Sequence, residues 1–191
     1  MKNHLRLLAL SSVILGLASC DAPDTTTQVD DSKSEQYVKD VHSFAQPDKI
    51  AVSHIGLELL ADFDTKTLSG TVTHTLMHNA PATEVHFDVS GLRIDAAYNE
   101  LGDSLKFEVK KGNNFGDDLV VNVTAETQKV KIVYATTPES KAVQWLEPVQ
   151  TLGKKQPFLF TQGQAILTRT WIPSQDSPGI RVTYDAKITV P

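Results

Sequence analysis

Cys20 is the single cysteine of the 191-residue chain, so no internal disulfide can form even in an oxidising compartment. The apolar run from Leu7 to Leu17 is too short to span a bilayer as a mature helix. Beyond the first twenty residues no stretch repeats apolar positions at the helical period, which argues against a helical domain. No Ser, His and Asp fall in a catalytic order, and neither a glycine-rich phosphate loop nor a pair of catalytic carboxylates stands out. The net charge is −5 and no basic patch is interleaved with aromatic residues, so nucleic acid is excluded as the expected partner. No internal repeat is visible.

What is present begins with a targeting segment. Lys2 and Arg6 precede the apolar run, which ends in Leu17-Ala18-Ser19-Cys20. Small residues just before a cysteine match the bacterial lipoprotein signal, in which the leader 1–19 is removed and the thiol of Cys20 carries a diacylglycerol. The alternative is an ordinary secretory leader with an incidental cysteine. The lone cysteine stands at the one place the lipoprotein signal requires it, which favours lipidation. The expected location is therefore the cell envelope of a bacterium, facing the periplasm from the inner or outer membrane. Asp21 resembles the inner-membrane retention signal of enteric bacteria. Residues 20–49 are rich in Asp, Ser, Thr, Gln and Lys and read as a flexible acidic tether, because they cannot bury enough apolar surface to offset the entropy of ordering. Within them the run from Tyr37 to Ala45 has the apolar content to make a helical turn or to dock on the domain.

From Ile50 the pattern is β. Leu57, Leu59, Ala61 and Phe63 alternate with polar residues, and a turn at Asp64 to Thr67 leads into Leu68 to His78. Further period-two runs cover Val85 to Val89, Leu92 to Tyr98, Leu105 to Val109, Leu119 to Val123, Val130 to Tyr134 and Ile180 to Val190. Short alternating runs separated by Gly, Asn and Asp predict antiparallel sheets. The expected fold is an all-β antiparallel two-sheet sandwich over residues 50–191. Leu119 to Val123 is expected to pair with Val130 to Tyr134, Phe158 and Phe160 to be core, and Trp145 and Trp171 to pack. His74 and His78 have the spacing of a helical zinc motif. In a strand, however, they lie about 13 Å apart, no Glu intervenes, and no metal site is predicted. His54 and His86 read as surface or cross-strand residues.

The distinctive stretch runs from Trp145 to Pro178. After the apolar run Phe158 to Phe160 come Gln162-Gly163-Gln164-Ala165, then Arg169, Pro173, Asp176 and Pro178. In an extended segment Gln162 and Gln164 share a face. An amide oxygen accepts from an ammonium and an amide NH2 donates to a carbonyl. The pair suits the N-terminal end of a peptide. Arg169 and Asp176 are expected to pair and stiffen the turn.

This pattern resembles the N-terminal domain of the zinc aminopeptidases of the aminopeptidase N and leukotriene hydrolase family. Lys141-Ala-Val-Gln-Trp145-Leu and Pro157-Phe-Leu-Phe160-Thr-Gln162 bring it nearest the leukotriene hydrolase and aminopeptidase B branch. The resemblance covers about Ile50 to Pro191 and implies a saddle-like β-domain, in agreement with the alternation. It also implies that Gln164 helps to hold the free α-amine of a peptide substrate, with Gln162 beside it. Gly163 stands where the family has a cysteine. In the family, zinc and catalysis belong to a following domain with an H-E-x-x-H helix, a downstream Glu and a G-x-M-E-N strand. None of these motifs occurs in this sequence. The expectation is a substrate-recognition domain that holds no cofactor, is inactive alone, and works with a catalytic zinc domain downstream. The alternatives are a stand-alone β-sandwich lipoprotein that binds peptides or a partner, and a truncated remnant.

Overall fold

The computed structural model of the protein describes residues 38–191. The leader, the lipidation site at Cys20 and most of the expected tether lie outside the described residues. Strands β1 (Ile50–Asp62), β2 (Thr67–His78), β3 (Glu84–Val89), β4 (Leu92–Asn99) and β5 (Phe107–Asn113) are followed by β6 (Gly116–Asn122) and β7 (Lys129–Thr136). Strands β8 (Val143–Leu146), β9 (Phe158–Thr161) and β10 (Thr183–Thr189) complete the chain, with single 3-10 turns at Pro148–Gln150 and Thr168–Thr170. The all-β expectation holds.

Two sheets form the sandwich, one ordered β10-β1-β2-β7-β4 and the other β3-β6-β5, and β8 and β9 make a separate hairpin. The interior is set by alternation. On β1, Leu57, Leu59 and Ala61 point inward while Glu58 and Leu60 face out. Across the pair, Val72 on β2 stands opposite Ile132 on β7, and both are fully buried. Phe87, Leu119 and Val121 supply the facing layer from the second sheet. Each fully buried aliphatic or aromatic side chain contributes about 1.5–3 kcal/mol relative to exposure, so this layer accounts for most of the domain's cohesion.

Three expectations need correction. The strand at Leu119 to Val123 does not pair with the one at Val130 to Tyr134. Instead β6 lies between β3 and β5, and β7 lies between β2 and β4. The link from Val123 to Gln128 is a crossover between sheets: Val123 donates to the Thr83 carbonyl, and the Gln128 carbonyl accepts from Leu76 on β2. Turn residues with alternating neighbours fit a hairpin and a crossover equally well, and only burial of both strands in different layers separates them.

The last strand is shorter than expected and pairs parallel with β1, not antiparallel, in the register His54 to Thr183 through Leu60 to Thr189. It is the sheet edge, and its residues are exposed on both faces, including Tyr184 and Ile188. His54 bridges to this edge, with its ring nitrogens 2.8 Å from Thr183 Oγ1 and 2.7 Å from Asp185 Oδ2. His86 makes the corresponding cross-strand contact with Asp118 at 3.0 Å. Both histidines are the cross-strand residues their alternation predicts.

The tether ends earlier than Lys49. Residues from Asp40 onward are fastened to the domain, with Ser43 and Ala45 buried. Their partners are polar groups far along the chain, which composition does not reveal.

Candidate functional site

The segment from Ala142 to Asp176 runs from the cluster at Ala61 and Leu68 to the backbone of Ile50 and Val52 and carries the two glutamines. Its first part is the β8–β9 hairpin. Trp145 packs edge-on against Phe63 at 5.1 Å, and Trp171 joins the same small cluster around Ala61, Leu68 and Val143. Phe158 and Phe160, expected to be core, are instead 53% and 43% exposed, because this hairpin has one face without a covering layer.

Gln162 and Gln164 lie just beyond β9, where the chain enters a turn at Gln164. The Gln162 side-chain oxygen turns back to accept the Gln164 N–H at 2.9 Å. Both side chains are exposed. The predicted pair of free amides is therefore replaced by an unequal pair. Gln162 uses its oxygen to brace the turn and keeps its NH2 outward. The Gln164 side chain forms no hydrogen bond among the described residues, so its oxygen is the free acceptor. Sequence spacing could not distinguish these roles, since a glutamine that caps its own turn needs no strand.

The backbone of this turn is held from several directions. Gln162 donates to the Ala142 carbonyl at 2.8 Å, and Leu167 donates to the Gly163 carbonyl at 2.8 Å. Ala142 donates to Thr170 Oγ1 at 2.9 Å, and that hydroxyl donates to the Leu167 carbonyl at 2.8 Å. The Gln164–Ala165 peptide is cis. A Cβ on Gly163 would stand 2.6 Å from Thr168 Oγ1, so the turn packs closely on the following 3-10 turn and a larger residue here would require the Thr168 side chain to shift.

Behind the turn lies a buried ionic cluster. Arg169, 1% exposed, is the largest fully buried side chain. Its Nε donates to Asp176 Oδ2 at 3.0 Å and its Nη2 to the Asp176 carbonyl at 2.7 Å. Its Nη1 donates to the carbonyls of His42 at 2.8 Å and Phe115 at 3.2 Å. Asp88 Oδ1 is 3.7 Å from the same guanidinium. Asp88 is fully buried and accepts from Ser43 Oγ at 2.6 Å, the Phe44 N–H at 2.8 Å and the Asp176 N–H at 2.9 Å. Burial pushes the Asp88 carboxyl up, and the Ser43 and Phe44 donors followed by the Arg169 charge pull against it. Gly116, at φ 137°, lets β6 start this close: a Cβ there would be 2.6 Å from the Val89 carbonyl oxygen and 3.4 Å from Arg169 Cδ. The expected Arg169–Asp176 pair is present, but Asp88, Ser43 and His42 were not foreseen. A buried Asp inside an apolar strand, Phe87-Asp88-Val89, was the one available signal.

The two histidines of the H-x-x-x-H spacing part company. His74 is buried and stacked on Phe87 at 4.4 Å, and neither ring nitrogen has a hydrogen-bond partner among the described residues. Burial pushes its pKa down to about 3, opposed by the Pro173 carbonyl without a completed hydrogen bond, so the ring is neutral. His78 Nε2 instead donates to the Thr127 carbonyl at 2.8 Å. Among the described residues no group of three or more His, Cys, Asp or Glu side chains could hold a metal ion. The described residues do not fit a zinc site. An open cleft of about 670 Å³ runs between Leu60–Asp64, Gln156, Pro157 and Val190–Pro191, and neither Gln162 nor Gln164 lines it.

Comparison with known proteins agrees with this architecture. The family model of the peptidase M1 N-terminal domain matches residues 27–191. Leucine aminopeptidase 2 of Pyricularia oryzae is 33% identical over 162 residues, 80% of this chain and 26% of that protein. Leukotriene A-4 hydrolase of Xenopus laevis is 33% identical over 163 residues, again 80% of this chain and 26% of the relative. The native yeast LTA4 hydrolase structure superposes with a TM-score of 0.74 at 30% identity, covering 84% of this chain and 26% of that one. An M1 zinc metallopeptidase of Deinococcus radiodurans bound to a Tyr-Ser-Ala substrate shares the fold at 22% identity and a TM-score of 0.55, over 75% of this chain and 33% of its own. This chain thus spans about a quarter of the length of the aminopeptidases and leukotriene hydrolases it matches. It belongs to the peptidase M1 N-terminal domain family.

Proposed function

We propose that this domain is the substrate-recognition wall of a zinc aminopeptidase, with Gln164 holding the free α-amine of a peptide while a separate zinc-bearing domain cleaves. The observation that carries this reading is the inequality of the two glutamines. Gln164 presents an exposed side-chain oxygen with no partner among the described residues, on a turn whose backbone is fixed through Gln162, Gly163 and Leu167. With the backbone fixed, only the Gln164 side chain has to be ordered for its amide oxygen to accept an N–H of an ammonium. Gln162 braces the turn and offers its NH2 to a neighbouring carbonyl. Zinc in the complete enzyme would polarise the scissile carbonyl and activate water. The residues here do something different: they fix where the amine sits, which confines cleavage to the first residue. The exposed Phe158 and Phe160 beside this turn suit contact with the catalytic domain.

In the complete enzyme, Gln164→Ala is expected to lower kcat/KM for free-amine peptides about tenfold to a hundredfold, the value of a hydrogen bond to a charged group. The melting temperature should stay unchanged. An unaltered specificity constant would overturn the assignment. The Leu17-Ala-Ser-Cys20 run further supports anchoring of the chain in the cell envelope by lipid on Cys20, facing the periplasm. Mass spectrometry of the mature amino terminus is expected to find a diacylglyceryl Cys20, and processing at any other residue would refute it.

A further inference from the structure

We propose that the lead segment Asp40 to Ala45 is a positioning element for the glutamine-bearing turn, acting through Asp88 and Arg169. Its test includes kinetics only because the role rests on the amine-binding reading of Gln164.

The contacts run without a gap. Ser177 Oγ donates to Asp40 Oδ2 at 2.7 Å and fixes the start of the lead segment. The His42 carbonyl accepts from Arg169 Nη1 at 2.8 Å. Of the three hydrogen bonds that the Asp88 carboxylate accepts, two come from the lead segment, through Ser43 Oγ and the Phe44 N–H. The third comes from the Asp176 N–H, and the Asp88 backbone is itself paired with Ser174 at 2.7 Å. Arg169 is the middle residue of the 3-10 turn Thr168–Thr170. Thr168 abuts Gly163, where even a Cβ would come to 2.6 Å, and Thr170 reaches Gln162 through Ala142. Two routes therefore lead from Arg169 to the turn, one on each side of it.

Charge explains why the lead segment is needed. The cluster holds one guanidinium and two carboxylates, so it carries an excess negative charge in the interior. A buried ion cluster is a poor source of stability, because well-packed apolar residues often do as well or better. Its benefit is orientation, since each partner fits only one arrangement. Without the lead segment, Asp88 would keep a single hydrogen-bond donor and a guanidinium 3.7 Å away. Arg169 would lose one of the two carbonyls that receive its Nη1. The side chain that sets the 3-10 turn would then have an alternative position, and Gln164 would move with it.

Ser43→Ala in the full chain removes the donor to Asp88, the acceptor of the Ala45 N–H and little volume. Hydrogen exchange is expected to accelerate about five- to tenfold in the peptide from Phe158 to Thr170, the effect of losing about one hydrogen bond, while Val72 and Ile132 keep their protection. Ser43→Thr should restore the slow exchange. Equal acceleration in every strand would reduce the lead segment to a stability element, and unchanged exchange around Gln164 would break the coupling; either result overturns the proposal. In the complete enzyme Ser43→Ala is expected to raise KM for free-amine peptides about threefold or more and leave KM for an N-acetylated ester unchanged. Should Gln164→Ala leave kcat/KM unaltered, the amine reading falls by itself, and the exchange measurement still decides whether the lead segment holds the turn.

Discussion

The sandwich interior and the segment from Ala142 to Asp176 are held by opposite kinds of chemistry. In the sandwich, Val72, Ile132, Phe87 and Leu119 are buried with no polar partner to find, and many alternative packings of similar volume would serve. In the segment, Arg169 and Gln175 are buried and Asp176 is partly buried, and together with Asp88 of β3 each has assigned partners. Gln175 shows the principle in small form: its amide donates to the Ile50 carbonyl and accepts from the Val52 N–H, both at 2.9 Å, and so stands in for a strand beside β1. The first region tolerates variation and supplies cohesion. The second has few acceptable arrangements and supplies placement, which is what a recognition turn requires.

The strongest way to break this contrast is to remove the charge at its centre. Arg169→Leu leaves Asp88 and Asp176 buried and uncompensated, and is expected to cost about 3–5 kcal/mol in urea unfolding monitored by fluorescence. A loss as small as that of a surface substitution would show that the cluster is not a demanding structure. In the sandwich, Ile132→Val removes one methyl group opposite Val72 and is expected to cost about 0.5–1.5 kcal/mol. A larger loss would mean that the apolar layer is as exacting as the polar one.

The smallest effect concerns pH. The His42 N–H, and after it the Ser177 hydroxyl, hold the Asp40 carboxyl below its ordinary value. A group with a lowered folded value stabilises above its unfolded value and loses that contribution as pH falls through the folded one. Asp88 has the opposite sign, since burial raises it, and its ionisation opposes folding as pH rises through the raised value. Acidification therefore releases Asp40 while it relieves Asp88. An NMR titration of the His42 amide is expected to show a midpoint below the usual carboxylate range, absent in Asp40→Asn. A midpoint at the unperturbed value would show that the lead segment is not fastened by this contact.

The same contrast decides what the sequence revealed. Alternation located β1 to β4 and β7 to within two residues, because residues such as Leu57, Leu59 and Ala61 must all face one way, but it missed the ends of β5 and β6 at the hairpin they share. It misplaced the partners of β6 and β7, since period two records a face and not a neighbour. It also marked Phe158 and Phe160 as core, although their faces are uncovered among the described residues. The Arg169–Asp176 pair was legible because its members are close in sequence. Asp88 and Ser43 are 45 residues apart, and no local pattern connects a serine in a polar stretch to an aspartate in a strand.

The parallel pairing of β1 and β10 has a consequence for the order of folding. His54 meets Thr183 across a separation of 129 residues, so the outer side of β1 finds its partner only after almost the whole domain has been synthesised. Contacts this distant in sequence slow folding, because the loop entropy must be met first. The hairpin of β1 and β2 forms early and leaves β1 with unpaired peptide groups, a template for another chain. Folding of this domain therefore passes through a stage in which β1 is an open edge, until residues 183–189 pair with it.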